Sequence, residues 1–253
     1  MSTTSTAAPA RTRVLAQGRF ETLAVLRNGE QLLVTLIIPV VALIALGRSD
    51  FIDIGALAGV PRIDVVTPGI LGLAVMAGSM TSQAIATAFD RRNGVLRLLA
   101  TTPLGRGGLL AGKAVAVLAV AAVQVVVVGA VGLLLGWRPD PVGLASAVLA
   151  LLLGVAAFTA LALLLAGTLR AEAVLAAANL LLVLLAVVGG VVLPVADLPG
   201  WWADIAVWLP PGALGEALRG ALIDGAFPAV HLLVLAGWTV LLGAAVRRWF
   251  RWS

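Results

Sequence analysis

Cysteine is absent from the 253-residue chain, which excludes disulfides, catalytic thiols and thiolate metal sites together. Histidine occurs once, at His231, and charged residues make up only 11% of the chain. Soluble proteins carry about 25% charged residues, and a water-facing surface cannot be assembled from so few. A soluble enzyme and a free nucleic-acid binder are therefore excluded. The 17 basic residues against 12 acidic ones suit contact with anionic lipid and the marking of membrane topology instead. Nothing resembles a His/carboxylate cluster that could hold a catalytic metal. What fills the chain is apolar residue, 61% of the total.

The scarce charges divide the chain into six uncharged stretches. They hold 17, 25, 24, 29, 24 and 22 residues, the first between Glu30 and Arg48 and the last between Asp224 and Arg247. A helix crossing a bilayer needs about 20 apolar residues. Leu, Val and Ala dominate each stretch without the alternation of a membrane β-strand, so helices are expected. The fold class is all-α: a polytopic membrane protein with six transmembrane helices. The spans fall near 31–47, 66–89, 112–136, 142–168, 174–195 and 227–246, in one domain covering 10–253. Residues 1–9, rich in Ser, Thr and Ala, form a disordered tail.

With the N-terminus inside, the inner segments carry 13 Lys and Arg and the outer ones four. The positive-inside rule then puts both termini in the cytoplasm of a multi-pass protein of the cell membrane. Leu32–Leu46 has the length of a signal-peptide core, with Ala45-Leu46-Gly47 as a weak cleavage site. Roughly thirty residues precede it, too many for a signal's basic leader, so retention is expected.

Between tail and first span, Ala16, Phe20, Leu23 and Arg27 recur at helical spacing, as in a helix lying in the membrane interface, though a solvated linker helix would show the same spacing. On the outer side, 48–65 carries Asp50, Asp53 and Asp64. Residues 196–226 carry Trp201, Trp202 and Trp208 as interfacial anchors. Leu214, Leu218, Ala221 and Leu222 have helical spacing there, so a partly re-entrant helical pair and a plain interfacial loop both fit. On the inner side, Asp90–Pro103 holds an amphipathic segment. Val95, Leu98 and Leu99 share a face, Arg92 and Arg97 project elsewhere, and Pro103 stops the run. Such a helix can rest on a soluble partner; a positive-inside loop would look the same.

Gly107–Lys113 fits the first seven positions of the phosphate-binding G-x-x-x-x-G-K loop. Ala114 stands where Ser or Thr must hold Mg²⁺, and no strand precedes it. Nucleotide binding is rejected, and Lys113 reads as a marker of the inner surface. The spans contain no acid or base at membrane depth, which leaves proton coupling little to work with. Mild polarity remains. Ser79, Gln83 and Thr87 follow one another at i, i+4 and i+8 in the second span, with Met76 and Met80 beside them. That stripe suits either interhelical hydrogen bonding or the lining of a translocation path. Gln124 and Asn179 are single amides in the third and fifth spans.

Several of these segments share a pattern. Pro68-Gly69-Ile70 opens the second span. Ala88-Phe89-Asp90-Arg91-Arg92, then Gly94-Val95-Leu96-Arg97, Leu99 and Thr102-Pro103-Leu104 follow it. Leu209-Pro210-Pro211-Gly212 with Glu216-Ala217-Leu218-Arg219-Gly220 precedes the last span. This pattern resembles the permease subunits of ABC-2 type exporters, in particular the daunorubicin-resistance-like branch. The resemblance implies an elbow helix on 10–29 and an ATPase-coupling helix on Asp90–Pro103. That helix would include Asp90, Arg91, Arg92, Gly94, Val95, Leu96, Arg97, Leu98, Leu99, Thr102 and Pro103. It implies no cofactor on this chain, ATP being hydrolysed by a separate cytoplasmic subunit. It also implies a second permease copy, identical or related, membrane lipid around the pair and no nucleic-acid partner. Met76, Ser79, Gln83 and Thr87 are then candidates for lining the path. A non-transporting membrane scaffold is the alternative, and an intramembrane enzyme would lack convergent catalytic groups.

Overall fold

The computed structural model describes residues 8–48 and 59–251. Expectations that fall on residues 1–7, on Asp50 and Asp53, or on 252–253 lie outside the described residues. Every element among the described residues is helical. In chain order they are α1 (Ala10–Leu26), α2 (29–48), α3 (Arg62–Arg92), α4 (Val95–Ala100), α5 (Gly105–Leu134) and α6 (Leu144–Thr168). Then come α7 (Ala171–Val188), α8 (Gly200–Ala206), α9 (Pro210–Leu222) and α10 (Ala229–Trp249). Five of these, α3, α5, α6, α7 and α10, are long and apolar enough to cross a membrane. The apolar part of α2, Leu33–Arg48, is shorter.

Burial separates these helices sharply. The most apolar window of α3 is 89% buried inside the protein, against 17% for α7 and for α10. So α3 is the central post, and the flanking helices expose Leu and Val such as Leu180, Val183, Leu233 and Val240. In lipid that exposure carries no penalty, and helix contact is driven by close packing of small residues. The buried side of α6 follows this rule with Ala147, Ala150, Gly154, Ala157, Ala162 and Ala166. Ala84 and Ala88 of α3 meet Ala162 and Ala166 of α6 and Ala171 and Ala178 of α7 in a seam of small side chains. Helix α9 is inserted among α3, α6 and α10, with Leu214 and Leu218 in the same core as Ile70, Met76 and Phe158.

Two helices contain a wider π-helical turn, Leu33–Ile37 in α2 and Ala77–Ser82 in α3. The first has a covalent cause. Pro39 has no N–H, so the carbonyl of Thr35, four residues back, loses its helical donor. Gln124 of α5 supplies another, its Nε2 donating to the Thr35 carbonyl at 2.8 Å. Gly78 in the second wide turn makes room for this amide, because a Cβ there would sit 2.8 Å from both its polar atoms. The two turns thus face one another across a single side chain.

The bundle has two distinct ends. The close of α3, helix α4 and the start of α5 carry Arg91, Arg92, Arg97, Arg106 and Lys113, five of the 13 Lys and Arg expected inside; Arg91 bonds the Leu169 carbonyl, and the Arg251 N–H donates to Gly167. This is the basic end. At the other, tryptophan-rich end, the Arg138 N–H donates to the Asp64 carboxylate, and the Asp140 N–H to the Leu222 carbonyl.

Several helices run past or stop short of the expected spans. The second apolar helix starts at Arg62, not 66, and runs to Arg92, so Asp90, Arg91 and Arg92 belong to it. The third starts at Gly105, not 112, which places Lys113 about two turns inside a helix. The fifth stops at Val188 instead of 195, because 189–194 leaves helical geometry. The elbow segment is helical, but the face it turns to the bundle is Gly18 and Val25, while Phe20 is 69% exposed. Gly18 and Gly112 let α1 and α5 approach closely: a Cβ on Gly112 would lie 2.6 Å from Gln17.

Candidate functional site

At the basic end, α3 closes on Arg92, and a turn through Asn93 and Gly94 starts α4. Gly94 adopts φ +75°, a conformation that costs a residue with a Cβ appreciable strain. Helix α4 is short, and its predicted apolar face is not uniform. Leu96 is the buried residue, Val95 and Leu99 are half-buried, and Leu98 is 67% exposed. Arg97 and Pro103 are exposed as well. The Thr101 and Thr102 hydroxyls donate to the carbonyls of Leu98 and Leu99 and close the helix.

Behind α4 lies a buried cation that sequence reading treated as a surface marker. Lys113 is 4% exposed. Its Nζ lies 2.9 Å from Asp90 Oδ2 on α3 and 3.3 Å from Glu21 Oε2 on α1. Gln17 holds the other oxygen of Glu21 at 2.7 Å. One ammonium thereby ties three helices together. A signal was present: acids are scarce on the basic side, and Asp90, Glu21 and Glu172 each face a cation. The third forms an exposed pair with Arg92, whose guanidinium also lies 5.9 Å from the Phe89 ring centre. The residues of the false phosphate loop, from Gly107 to Lys113, lie within helical α5, which gives them no loop to wrap around a phosphate.

The polar stripe of α3 lies inside the bundle. Met76, Ser79 and Thr87 are enclosed by protein; Ser79 donates to the Val75 carbonyl, and the Thr87 hydroxyl is buried with no partner among the described residues. Gln83 borders a cleft at the basic end that Asp90, Lys113, Val95 and Leu99 also line. Of the two single amides, Gln124 bonds across helices and Asn179 only within its own, to Leu175.

At the tryptophan-rich end, the chain leaving α7 at Gly189 runs unwound between α3 and α9. It fits because both neighbours present glycine: a Cβ at Gly69 would lie 2.8 Å from the Val191 and Val192 carbonyls, and one at Gly215 would lie 2.6 Å from the Gly190 carbonyl. Unwound backbone inside a membrane bundle must find polar partners within the protein. Arg219 of α9 provides them. It is 3% exposed, and its guanidinium donates to the carbonyls of Gly190 at 2.7 Å, Val191 at 3.2 Å and Leu193 at 3.3 Å. Glu216 balances the charge at 2.8 Å and accepts the Val195 N–H at 2.9 Å. Sequence reading counted Arg219 as a topology residue and missed this role. The signal was an Arg three positions from a Glu in a segment otherwise patterned as apolar helix. The tryptophans stand around this node: Trp202 donates to the Val188 carbonyl, Trp238 to that of Trp208, and Trp201 and Trp208 are exposed.

A family model described as ABC-2 type transporter matches residues 12–223. The chain belongs to the ABC-2 type transporter family. No protein of curated function matches the sequence. ABC-2 domains are membrane components of transporters, which agrees with five long apolar helices and makes this a multi-pass membrane protein. The ABC-2 match opens inside α1 and closes just past α9, so both buried ion-pair clusters fall within it and α10 falls outside.

Proposed function

We propose that the chain is the permease subunit of an ATP-driven exporter, energised by a separate ATPase that docks on α4 and its flanking turns. The basic end then faces the cytoplasm, as 13 of 17 cations there favour. Residues 29–48 form the first of six spans, and α1 is the interfacial elbow. Two such permeases, identical or related, pair in the membrane, and the residue pattern quoted above favours the daunorubicin-resistance-like branch. One observation carries the reading within the family: an apolar side chain, Leu98, stands exposed on a short helix joined by one tight turn to the most buried helix of the bundle. Force applied at Leu98 enters the core through α3.

Of the four path candidates, Gln83 has access to an opening; Met76, Ser79 and Thr87 would line a path only when the helices around α3 part. The chain binds no nucleotide in this scheme. A non-transporting scaffold would need no contact on α4, and one experiment separates the two. With permease and ATPase co-expressed, Leu98→Asp should reduce co-purification by at least about tenfold, the effect expected of a central apolar anchor. Gel filtration of the variant should be unchanged. Full retention of the ATPase would overturn the coupling role.

A further inference from the structure

The cleft at the basic end has a volume of about 340 Å³ and lies between α1, the start of α2, the end of α3, α4 and α5. Its floor is formed by Gln83, Asp90 and Lys113, and Phe20 stands at its rim. Gln83 is 5% exposed, and its amide has no hydrogen-bond partner among the described residues. A side chain this deeply buried loses hydrogen bonds to water and ordinarily gains protein ones in exchange. Here the one polar surface it meets is the cleft.

The charges in the cleft favour a cation. Two carboxylates, Glu21 and Asp90, face one ammonium, Lys113, and the ammonium is the most deeply buried of the three. Glu21 is saturated by Gln17 and Lys113, whereas Asp90 uses Oδ2 for Lys113 and is a third exposed, leaving Oδ1 open to the cleft. Asn28 and Gln31 add polar groups near the α2 start. Ala24, Val25, Ala86, Val95 and Leu99 supply an apolar wall. An exposed aromatic ring at the mouth completes a setting that attracts cations to its face.

We propose that this cleft binds the ammonium head of an amphiphile, with Asp90 as counter-ion, the Gln83 carbonyl as acceptor and the alkyl portion leaving past Phe20. The proposal rests on the membrane reading of the apolar helices and not on the ATPase partnership. Its ligand comes either from an aminophospholipid of the adjoining leaflet or from a free amphipathic amine.

The test uses the full chain, without ATPase, immobilised in an uncharged sugar detergent, with tritiated dodecylamine as probe in a scintillation proximity assay. Saturable binding is expected, and Asp90→Asn should weaken it by about tenfold, the loss of one charge-assisted contact. Because Asp90→Asn also removes a partner of Lys113, Gln83→Glu provides a second reading: a new carboxylate should tighten dodecylamine binding. Dodecyl sulfate should not displace the probe. Displacement by short-chain phosphatidylethanolamine but not phosphatidylglycerol identifies lipid as the source; displacement by amines alone identifies a free amine. Unsaturable binding, equal displacement by dodecyl sulfate, or no response to Gln83→Glu would overturn the site. Since no ATPase is present, failure here leaves the Leu98 result standing, and the reverse also holds.

Discussion

Lys113 and Arg219 are the two most deeply buried cations among the described residues, one near each end of the bundle, and they are held in different ways. Lys113 is held by carboxylates on two other helices, and its side borders an open cleft. Arg219 is enclosed and held mainly by backbone carbonyls, with its carboxylate three residues away on the same helix. The residue types fit these tasks. A guanidinium presents several donors in a fixed fork, suited to a row of carbonyls, whereas an ammonium is a compact charge that can exchange partners. The cluster at the tryptophan-rich end is therefore suited to holding one shape of the chain, and the one at the basic end to joining elements that exchange partners.

That contrast can be broken by substitution, most severely at the tryptophan-rich end. Arg219→Ala leaves three carbonyls and Glu216 without their partner; a loss of about 3–5 kcal/mol is expected, as for a broken buried ion pair. Thermal unfolding in detergent should register it, and Arg219→Lys should restore little, because one ammonium cannot span three carbonyls. Lys113→Met keeps the apolar stem and frees two carboxylates that already reach solvent. Stability should fall by about 2 kcal/mol, with transport lost more completely than fold; an unfolded variant would mean that the cluster at the basic end is as structural as the one at the tryptophan-rich end. Arg92→Ala sharpens the comparison by removing an ion pair at the same end whose side chains are both more than half exposed. After screening, its contribution is about 0.3 kcal/mol or less, and its melting curve should overlay that of the parent.

Hydropathy alone located the apolar helices and the basic segment around α4, since both depend on where charge is missing. It read the fifth span through Val195 because Val191, Val192, Leu193 and Val195 are apolar, and apolar residues do not distinguish helix from buried unwound chain. The turn was written instead in Gly189-Gly190 and in the glycines that receive it, Gly69 and Gly215. Period-of-four polarity groups Ser79, Gln83 and Thr87 along α3, yet it carries no information about what covers them. The packing of α1 was hidden for a related reason. Its contact with α5 is made by Gly18, whose value lies in having no side chain, and a count of apolar residues cannot register it. The link from Pro39 through Thr35 to Gln124 was legible in part: the proline foretells a free carbonyl, though not which amide reaches it.

The length of α3 has one more consequence. Thirty-one residues at 1.5 Å each give a rod of about 46 Å, against a hydrocarbon layer of about 30 Å. A single segment thus touches the α4 turn at Arg92 and, at Gly69, the unwound strand that Arg219 secures. Motion at the water layer on one side is transmitted to the other without crossing a joint, except at the wide turn Ala77–Ser82. If that turn tightened to ordinary pitch, the two halves of the rod would rotate against each other, and Gln124 would be the first side chain to feel the slip.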